Sequence, residues 1–199
     1  MIAVIVLAAG LARRMGGRQK LLLPLEGKPV VRWSVEGVLA HAGDVVVVTG
    51  RDDPAVRAAL AGLPLRFVVN PCPEDGQGSS IAAGAKALPA AASAALVALG
   101  DQPRLPPDVI PALLAVRART GKAIVAPVYR GTRGTPVLFA AEVFPELAAL
   151  AGDAGARSVV DARAERVAAV DIDAPVPVDV DTPEDLARLG RGRRRPRPE

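Results

Sequence analysis

The sequence is poor in the residues from which many catalytic and redox sites are built. Its 199 residues include one cysteine, one histidine, one tryptophan and one tyrosine. Because Cys72 has no second cysteine to pair with, an intrachain disulfide and a thiolate cluster for zinc or iron–sulfur are excluded, and this usage is typical of the reducing cytoplasm. With a single histidine and no G-x-S-x-G segment, we do not expect acyl transfer through a catalytic triad.

Long apolar runs are also missing. No apolar stretch reaches the roughly 20 residues of a membrane-spanning helix without a charge or a proline interrupting it. The apolar residues near the start have no basic region ahead of them, and arginines follow where a signal-peptide cleavage site would stand. We therefore expect a cytoplasmic protein without a membrane partner.

Net charge is confined to one end of the chain. The formal charge of +4 would by itself indicate binding to nucleic acid. Residues 191–199 contain five arginines and one glutamate, however, and these account for the whole excess. We therefore expect a neutral domain over residues 1–190, a disordered arginine-rich tail over 191–199 and no nucleic-acid partner.

Short β-branched runs alternate with helical patterns through the first two thirds of the chain. The sequence predicts strands over 2–7, 45–49, 65–69, 94–99 and 123–127, and helices over 30–40, 54–60, 80–88 and 108–119. Because parallel strands need crossover connections, this alternation predicts a three-layer α/β domain with a mostly parallel central sheet.

The pattern is looser after residue 127. It predicts a hairpin or a strand with a loop over 128–140, helices over 142–150 and 156–162, and edge strands over 167–170 and 176–180. A last helix is expected from Pro183, with Thr182 as its N-cap, to a point near Gly190.

The loop after the first strand has the composition of an anion site. Ligands of open parallel sheets bind beyond the carboxyl ends of the strands, so this loop faces the expected crevice. It combines glycines, whose backbone N–H groups allow close approach of an anion, with positive side chains: Gly10, Gly16, Gly17, Arg13, Arg14, Arg18 and Lys20. The spacing matches neither G-x-x-x-x-G-K nor G-x-G-x-x-G. A bound phosphate is the favoured interpretation, and a glycine-rich connection with solvated arginines is the alternative.

Carboxylates follow two of the predicted strands. Asp101 comes directly after the buried strand 94–99, where it is placed to hold a divalent cation against phosphate oxygens, unless it only caps a turn. Alternation along a strand over 176–180 would put Asp179 and Asp181 on one face, so that a second carboxylate reaches the same metal. The alternative for Asp181 is a capping or solvated residue.

Three further segments carry weaker signals. Asn70, followed by Pro71, and residues 74–80, which include Gly76 and Ser80, open a helix, and the free N–H groups of a helix start suit polar ligand recognition, although Ser80 alone would also serve as an N-cap. Residues 133–136 and 152–157 are explained equally well by turn chemistry. Taken with the basic loop and the carboxylates, these segments indicate chemistry at phosphorus, which depends on positioning and charge neutralisation.

In this order, the segments resemble the molybdenum cofactor nucleotidyltransferase family over residues 1–190. The similar parts are LAAG at 7–10 with RMGG-x-x-K at 14–20, GQGSSIAAG at 76–84, G-D-x-P at 100–103, G-x-P-V at 134–137 and D-x-D-T-P-E-D-L at 179–186. The resemblance implies a Rossmann-like nucleotidyltransferase domain, a nucleoside triphosphate and Mg²⁺. LAAG, as opposed to LAGG, is similar to the cytidylyltransferase branch. Ala12 and Thr135 depart from the Ser and His that relatives often carry.

The resulting hypothesis is transfer of CMP from CTP to the terminal phosphate of molybdenum-bearing molybdopterin, with release of pyrophosphate and delivery of the product to a molybdoenzyme. The catalytic candidates are Lys20, Arg14 and Asp101, and the metal candidates are Asp101 and Asp181. The nucleotide-binding candidates are Leu7, Ala8, Ala9, Gly10, Arg14, Lys20, Asn70, Gly76, Ser80 and Asp101. The alternatives are the same transfer with GTP or another acceptor, and a nucleotide-binding accessory protein without turnover. A glycosyltransferase would require a D-x-D where Asp101 is followed by Gln102 and Pro103.

Overall fold

The computed structural model describes residues 1–10, 19–51 and 53–191, and it describes Arg191 by its backbone only. Arg14 and the tail beyond Arg191 therefore lie outside the described residues.

Strands and helices alternate along the described chain. The strands are β1 (Ile2–Ala8), β2 (Pro24–Leu25), β3 (Lys28–Pro29), β4 (Asp44–Thr49), β5 (Arg66–Val69), β6 (Ala94–Leu99), β7 (Ile124–Tyr129), β8 (Thr132–Arg133), β9 (Val137–Ala140) and β10 (Val167–Ile172). The α-helices are α1 (Val30–Leu39), α2 (Asp53–Ala59), α3 (Gln77–Lys86), α4 (Val109–Thr120), α5 (Phe144–Ala148), α6 (Ala156–Ala162) and α7 (Pro183–Arg191).

The main sheet has the order β10-β7-β9-β6-β1-β4-β5, with β8 paired to β7, and β2 and β3 form a separate two-stranded ribbon. Its pairs are parallel except where β9 lies antiparallel between β6 and β7, and where β8 folds back on β7. The predicted α/β class with a mostly parallel sheet is confirmed.

Helices cover both faces of the sheet because its central strands are apolar on both sides. Alternation along β1 turns Val4 and Val6 toward α1, α2 and α4, whereas Ile5 faces α3, α5 and α6. Each fully buried aliphatic side chain contributes about 1.5–3 kcal/mol relative to an exposed one. Helix α3 packs closely on β1, since a Cβ at Gly84 would lie 2.4 Å from Ile5 Cγ2. The core therefore fixes β1 and β6 rigidly, and the loops at their carboxyl ends start from fixed points.

The predicted strand over 176–180 is wrong. This segment is irregular, and its backbone contributes one hydrogen bond, from Val180 N to Asp101 O at 3.0 Å. Pro175 and Pro177 explain the difference, because they lack the N–H donors that a sheet ladder needs. Asp179 and Asp181 are therefore not placed by strand alternation.

The region from 128 to 140 resolves into two elements. The end of β7 turns back through β8 as a short hairpin, and β9 then inserts between β6 and β7. The helix predicted from residue 80 begins earlier, at Gln77, so Ser80 lies in its first turn rather than at its N-cap.

Helix α7 begins with the predicted cap. Asp185 N donates to Thr182 Oγ1 at 3.2 Å, and Thr182 N donates to Asp185 Oδ2 at 3.0 Å, which satisfies donors at the helix start reciprocally. Leu186 and Leu189 anchor the helix against Leu25 and Val180. Throughout the described ranges, the helices lack the combination of length and apolar character that a membrane span requires.

Candidate active site

A cavity of about 400 Å³ opens beyond the carboxyl ends of β1 and β6, and we call it the nucleotide cavity after the role proposed for it below. From β1 the sheet continues to β4 and β5 on one side and to β6 on the other, so the cavity lies where the strand order reverses. Open α/β sheets bind ligands at this position. Seven of the candidate residues lie on its wall: Leu7, Ala9, Gly10, Lys20, Gly76, Ser80 and Asp101.

Lys20 occupies the centre of the charged part of the wall. It opens a short 3-10 helix over Lys20–Leu22, which the buried Leu21 anchors. Its Nζ donates to Asp101 Oδ2 at 2.6 Å and to Asp181 Oδ1 at 2.7 Å. Burial alone would lower the pKa of Lys20, but the charge of Asp101 and the hydrogen bonds to both carboxylates outweigh burial and raise the pKa. Lys20 is therefore protonated at neutral pH.

The backbone around Asp101 is fixed from several directions. Gly100 N donates to Leu7 O at 2.9 Å, and a Cβ on Gly100 would lie 2.8 Å from that oxygen, so β1 and β6 approach closely here. Ser34 Oγ donates to Gly100 O at 2.9 Å, and Val180 N donates to Asp101 O. The Asp101 carboxylate consequently starts from a rigid support.

Asp179 brings a further carboxylate to the cavity wall. Burial, together with the negative charges of Asp101 and Asp181, raises the pKa of Asp179 above its ordinary range, although the hydrogen bond from Gln102 opposes this. The described side chains thus set several carboxylates around one ammonium group, with an excess of negative charge.

The start of α3 forms the opposite wall. Gly76 adopts a φ of +93°, and a Cβ there would lie 2.4 Å from the Gly152 backbone, so only glycine fits. Asn70 Nδ2 donates to Ser79 Oγ at 2.8 Å and to Ser80 Oγ at 3.0 Å. The positive end of the α3 dipole thereby faces the cavity with Ser80 held in place.

Not every candidate reaches the wall. Ala8 is 2% exposed and packs into the core, because β1 alternates faces and its neighbours Leu7 and Ala9 take the cavity side. The Asn70 amide is used to hold Ser79 and Ser80. Asp181 reaches the site through Lys20, and Arg14 lies outside the described residues.

Some wall residues had no clear signal in the sequence. Gln77, Glu74 and Asp153 line the cavity as well. Glu74 and Gln77 belong to the segment at the helix start and Asp153 to residues 152–157, and neither segment carried more than a weak signal. Asp179 was visible as part of an alternating acidic pair, but the sequence favoured Asp181.

The chemistry of the donor set fits a divalent cation only in part. Asp101 and Asp181 converge on a single positive group, as they would on a metal ion. Within the described residues, no cluster of three or more His, Cys, Asp or Glu side chains is arranged to hold a metal alone. Mg²⁺ is commonly bound by one or two carboxylates together with substrate phosphates, and two carboxylates suffice for that mode.

A second cavity of about 290 Å³ adjoins the first, and we call it the acceptor cavity after the role proposed for it below. The two share Leu7, Gln77 and Leu99. Its floor is apolar, with Ile81 and Val97, and the segment from Thr132 to Thr135 forms one wall. The two cavities therefore share part of one wall.

Comparison with known proteins finds relatives that match most of the chain. A family model for the MobA-like NTP transferase domain matches residues 4–167. The chain is 33% identical over 165 residues to purine catabolism protein PucB of Bacillus subtilis, covering 78% of each chain. It is 37% identical over 162 residues to nicotine blue oxidoreductase of Paenarthrobacter nicotinovorans, covering 77% of this chain and 78% of that protein.

Solved structures extend the similarity to nearly the whole chain. Rv0371c of Mycobacterium tuberculosis superposes with a TM-score of 0.82 at 30% identity, covering 96% of this chain and 97% of the other. The same mycobacterial protein has also been solved as a complex with manganese, with a TM-score of 0.81 at 30% identity and coverage of 96% and 98%.

Proposed function

This chain belongs to the MobA-like NTP transferase family, and we propose that it transfers CMP from CTP to the terminal phosphate of molybdenum-bearing molybdopterin in the cytoplasm, releasing pyrophosphate. The observation that carries the proposal is Lys20, held between Asp101 and Asp181 on the wall of a cavity at the switch point of the sheet. The manganese complex of a relative supports a divalent cation, for which we propose Mg²⁺.

The donor site is proposed to use the nucleotide cavity. Gly10 and the start of α3 offer backbone N–H groups to the phosphates, and Lys20 offers a protonated ammonium. Arg14 is proposed to add a second positive charge. Asp101, with Asp181, would hold Mg²⁺, which supplies neutralisation of the charge on the triphosphate and polarises the α-phosphorus.

CTP is proposed over GTP because of residue 9. Ala9 lies on the cavity wall, and it is the third residue of the LAAG segment, whose form is similar to the cytidylyltransferase branch.

The acceptor is proposed to lie in the acceptor cavity, which opens into the nucleotide cavity beside Leu7 and Leu99. Its apolar floor suits one face of a pterin ring, and its contact with the nucleotide cavity lets a terminal phosphate approach the α-phosphorus. A molybdoenzyme is the proposed recipient of the product.

The chain needs no general base for this reaction. A phosphate monoester is already an anion at neutral pH and attacks as its own nucleophile, so no proton has to be removed. Lys20 binds and orients phosphate oxygens, Asp101 and Asp181 keep Lys20 protonated, and orientation supplies much of the rate enhancement.

Product analysis tests the proposal. Purified protein, Mg²⁺ and molybdopterin are incubated with CTP, GTP, ATP or UTP, pyrophosphate is measured, and the product is identified by mass. We expect the cytosine dinucleotide with CTP. Faster turnover with GTP would favour the guanylyl alternative, and pyrophosphate release only with a different phosphorylated acceptor would replace molybdopterin. CTP binding without turnover would favour an accessory protein.

A further inference from the structure

A hydrogen-bonded chain of side chains joins the walls of the two cavities. Thr135, on the wall of the acceptor cavity, donates its hydroxyl hydrogen to Gln102 Oε1 at 2.5 Å. Gln102 Nε2 donates to Asp179 Oδ1 at 2.8 Å, and Asp179 lies on the wall of the nucleotide cavity. We propose that Gln102 and Thr135 are positioning residues that hold the Asp179 carboxylate toward the reacting phosphates. The inference rests on the proposed function.

The hydrogen bonds that join Thr135, Gln102 and Asp179 have one consistent arrangement of donors and acceptors. An ionised carboxylate only accepts hydrogen bonds, so Gln102 must turn its amide nitrogen toward Asp179. Its oxygen then faces Thr135, whose hydroxyl must donate. Gln102 is 4% exposed, so an amide oxygen without this donor would be left unsatisfied away from water. Removal of the Thr135 hydroxyl therefore frees the Gln102 side chain to turn, and the hydrogen bond from Gln102 to Asp179 is then no longer held in place.

The Thr135 end of this hydrogen-bonded series is anchored in the core of the fold. Tyr129 Oη donates to the Thr135 carbonyl oxygen at 2.7 Å, and Tyr129 is 1% exposed. Gly134 packs against the same ring so closely that a Cβ there would lie 2.8 Å from Tyr129 Cε2. Thr135 is consequently fixed to the core through β7, and Asp179, which lies in a segment without sheet pairing, derives its orientation from this anchor.

Asp179 contributes charge rather than a bond-forming group. Its carboxylate lies on the same cavity wall as Asp101 and Lys20, so its orientation changes the electrostatic field in which the metal-bearing triphosphate would react. Loss of its support is expected to slow turnover while the contacts that bind the nucleotide elsewhere in the cavity remain. This pattern distinguishes positioning from a general loss of folding.

The test compares Thr135→Val, Thr135→Ser and Gln102→Met with wild type. The control is Thr120→Val at the C-terminal end of α4, which leads into the amino end of β7, whereas the cavities open beyond the carboxyl ends of the strands. This change removes a hydroxyl that donates to Val116 O at 2.8 Å and accepts from Lys122 N at 3.3 Å. Pyrophosphate release is measured with CTP, Mg²⁺ and molybdopterin, and binding of CTP with Mg²⁺ is measured by calorimetry. The side-chain amide signal of Gln102 is followed in ¹H–¹⁵N spectra and identified by its loss in Gln102→Met.

We expect Thr135→Val and Gln102→Met to lower kcat by about 10- to 100-fold, as loss of an outer hydrogen-bond partner does, with unchanged CTP affinity. Thr135→Ser should restore kcat, and Thr120→Val should match wild type. Thr135→Val should also shift the Gln102 amide signal. An unchanged amide signal or a wild-type kcat in Thr135→Val would overturn the inference. If wild type itself releases no pyrophosphate with molybdopterin, the proposed acceptor is wrong, and the amide signal still decides whether Thr135 orients Gln102.

Discussion

The substitution Asp101→Asn separates two roles of the Asp101 carboxylate: its contribution to stability through the ion pair with Lys20, and its proposed role in catalysis. Asparagine keeps an oxygen for Lys20 Nζ but removes the charge from a 2.6 Å contact in which the two side chains are 15% and 18% exposed. A charged hydrogen bond contributes about twice as much as a neutral one, so we expect a loss of about 1 kcal/mol in the free energy of unfolding. For a domain of this size, that corresponds to a fall of about 2–4 °C in Tm.

The expected loss of activity is much larger. Asp181 still neutralises Lys20 in this variant, so the fold and the lysine charge persist. Removing one group that stabilises charge at a reaction centre costs about 100- to 1000-fold in turnover. Pyrophosphate release with CTP, Mg²⁺ and molybdopterin, measured beside Tm, gives both quantities from one preparation.

Asp44→Asn is the matched control. Asp44 has an exposed fraction of 19% and pairs with Arg66 at the amino end of β4, whereas the cavities lie beyond the carboxyl ends of the strands. It should lower Tm by a similar amount without changing turnover. Near-wild-type turnover in Asp101→Asn would refute Asp101 as a metal ligand. Equal losses of activity in Asp101→Asn and Asp44→Asn would show that lower stability, rather than a catalytic role of Asp101, causes the loss.

Three further predictions follow from individual contacts. Asp179→Asn should raise Tm at pH 7, because burial and neighbouring charges raise the pKa of Asp179 and so penalise its ionised form in the folded state. The gain in Tm should vanish at acidic pH, where the carboxylate of wild-type Asp179 is itself protonated. The hydrogen bond from Thr182 lowers the pKa of Asp185, so the contribution of this carboxylate is present above about pH 4 and is lost as pH falls through the lowered value. The amide protection factors of α7, which correct for the pH dependence of intrinsic exchange, should therefore fall with acid, and Thr182→Ala should reduce that dependence. Gly84→Ala should cost about 1–3 kcal/mol in urea unfolding, since the new methyl group meets Ile5 at 2.4 Å, and an unchanged midpoint would show that α3 moves away without cost.

The central part of the fold follows from local sequence. Strands β1 and β6 are apolar over their full length and β4 is apolar between Asp44 and Thr49, and such runs between turn residues are typical of strands that are buried on both faces. The place of Asp101 follows from the same logic, because a residue directly after a buried parallel strand must face the crevice. The segment 176–180 had β-branched residues too, but Pro175 and Pro177 deny it the donors for pairing.

The finer structure of the site depends on contacts that no local pattern encodes. Thr135 and Gln102 are 33 residues apart, and Gln102 and Asp179 are 77 apart. They meet because β9 inserts between β6 and β7 and brings residues 134–137 beside the loop after β6. The sequence predicted a hairpin or a strand with a loop over residues 128–140 but not its place in the sheet, so the three hydrogen-bonded side chains could not be brought together before the sheet order was known.

The distribution of charge bears on which form of the nucleotide the site selects. The whole-chain excess of +4 resides in residues 191–199, whereas the described side chains of the nucleotide cavity set Lys20 against Asp101, Asp179 and Asp181. A free triphosphate, with several negative charges, would be repelled by such a wall. The same triphosphate carrying a divalent cation would find carboxylates for the metal and Lys20 for its oxygens. If a nucleoside triphosphate binds here as proposed, the described carboxylates would therefore favour its complex with a divalent cation over the free triphosphate.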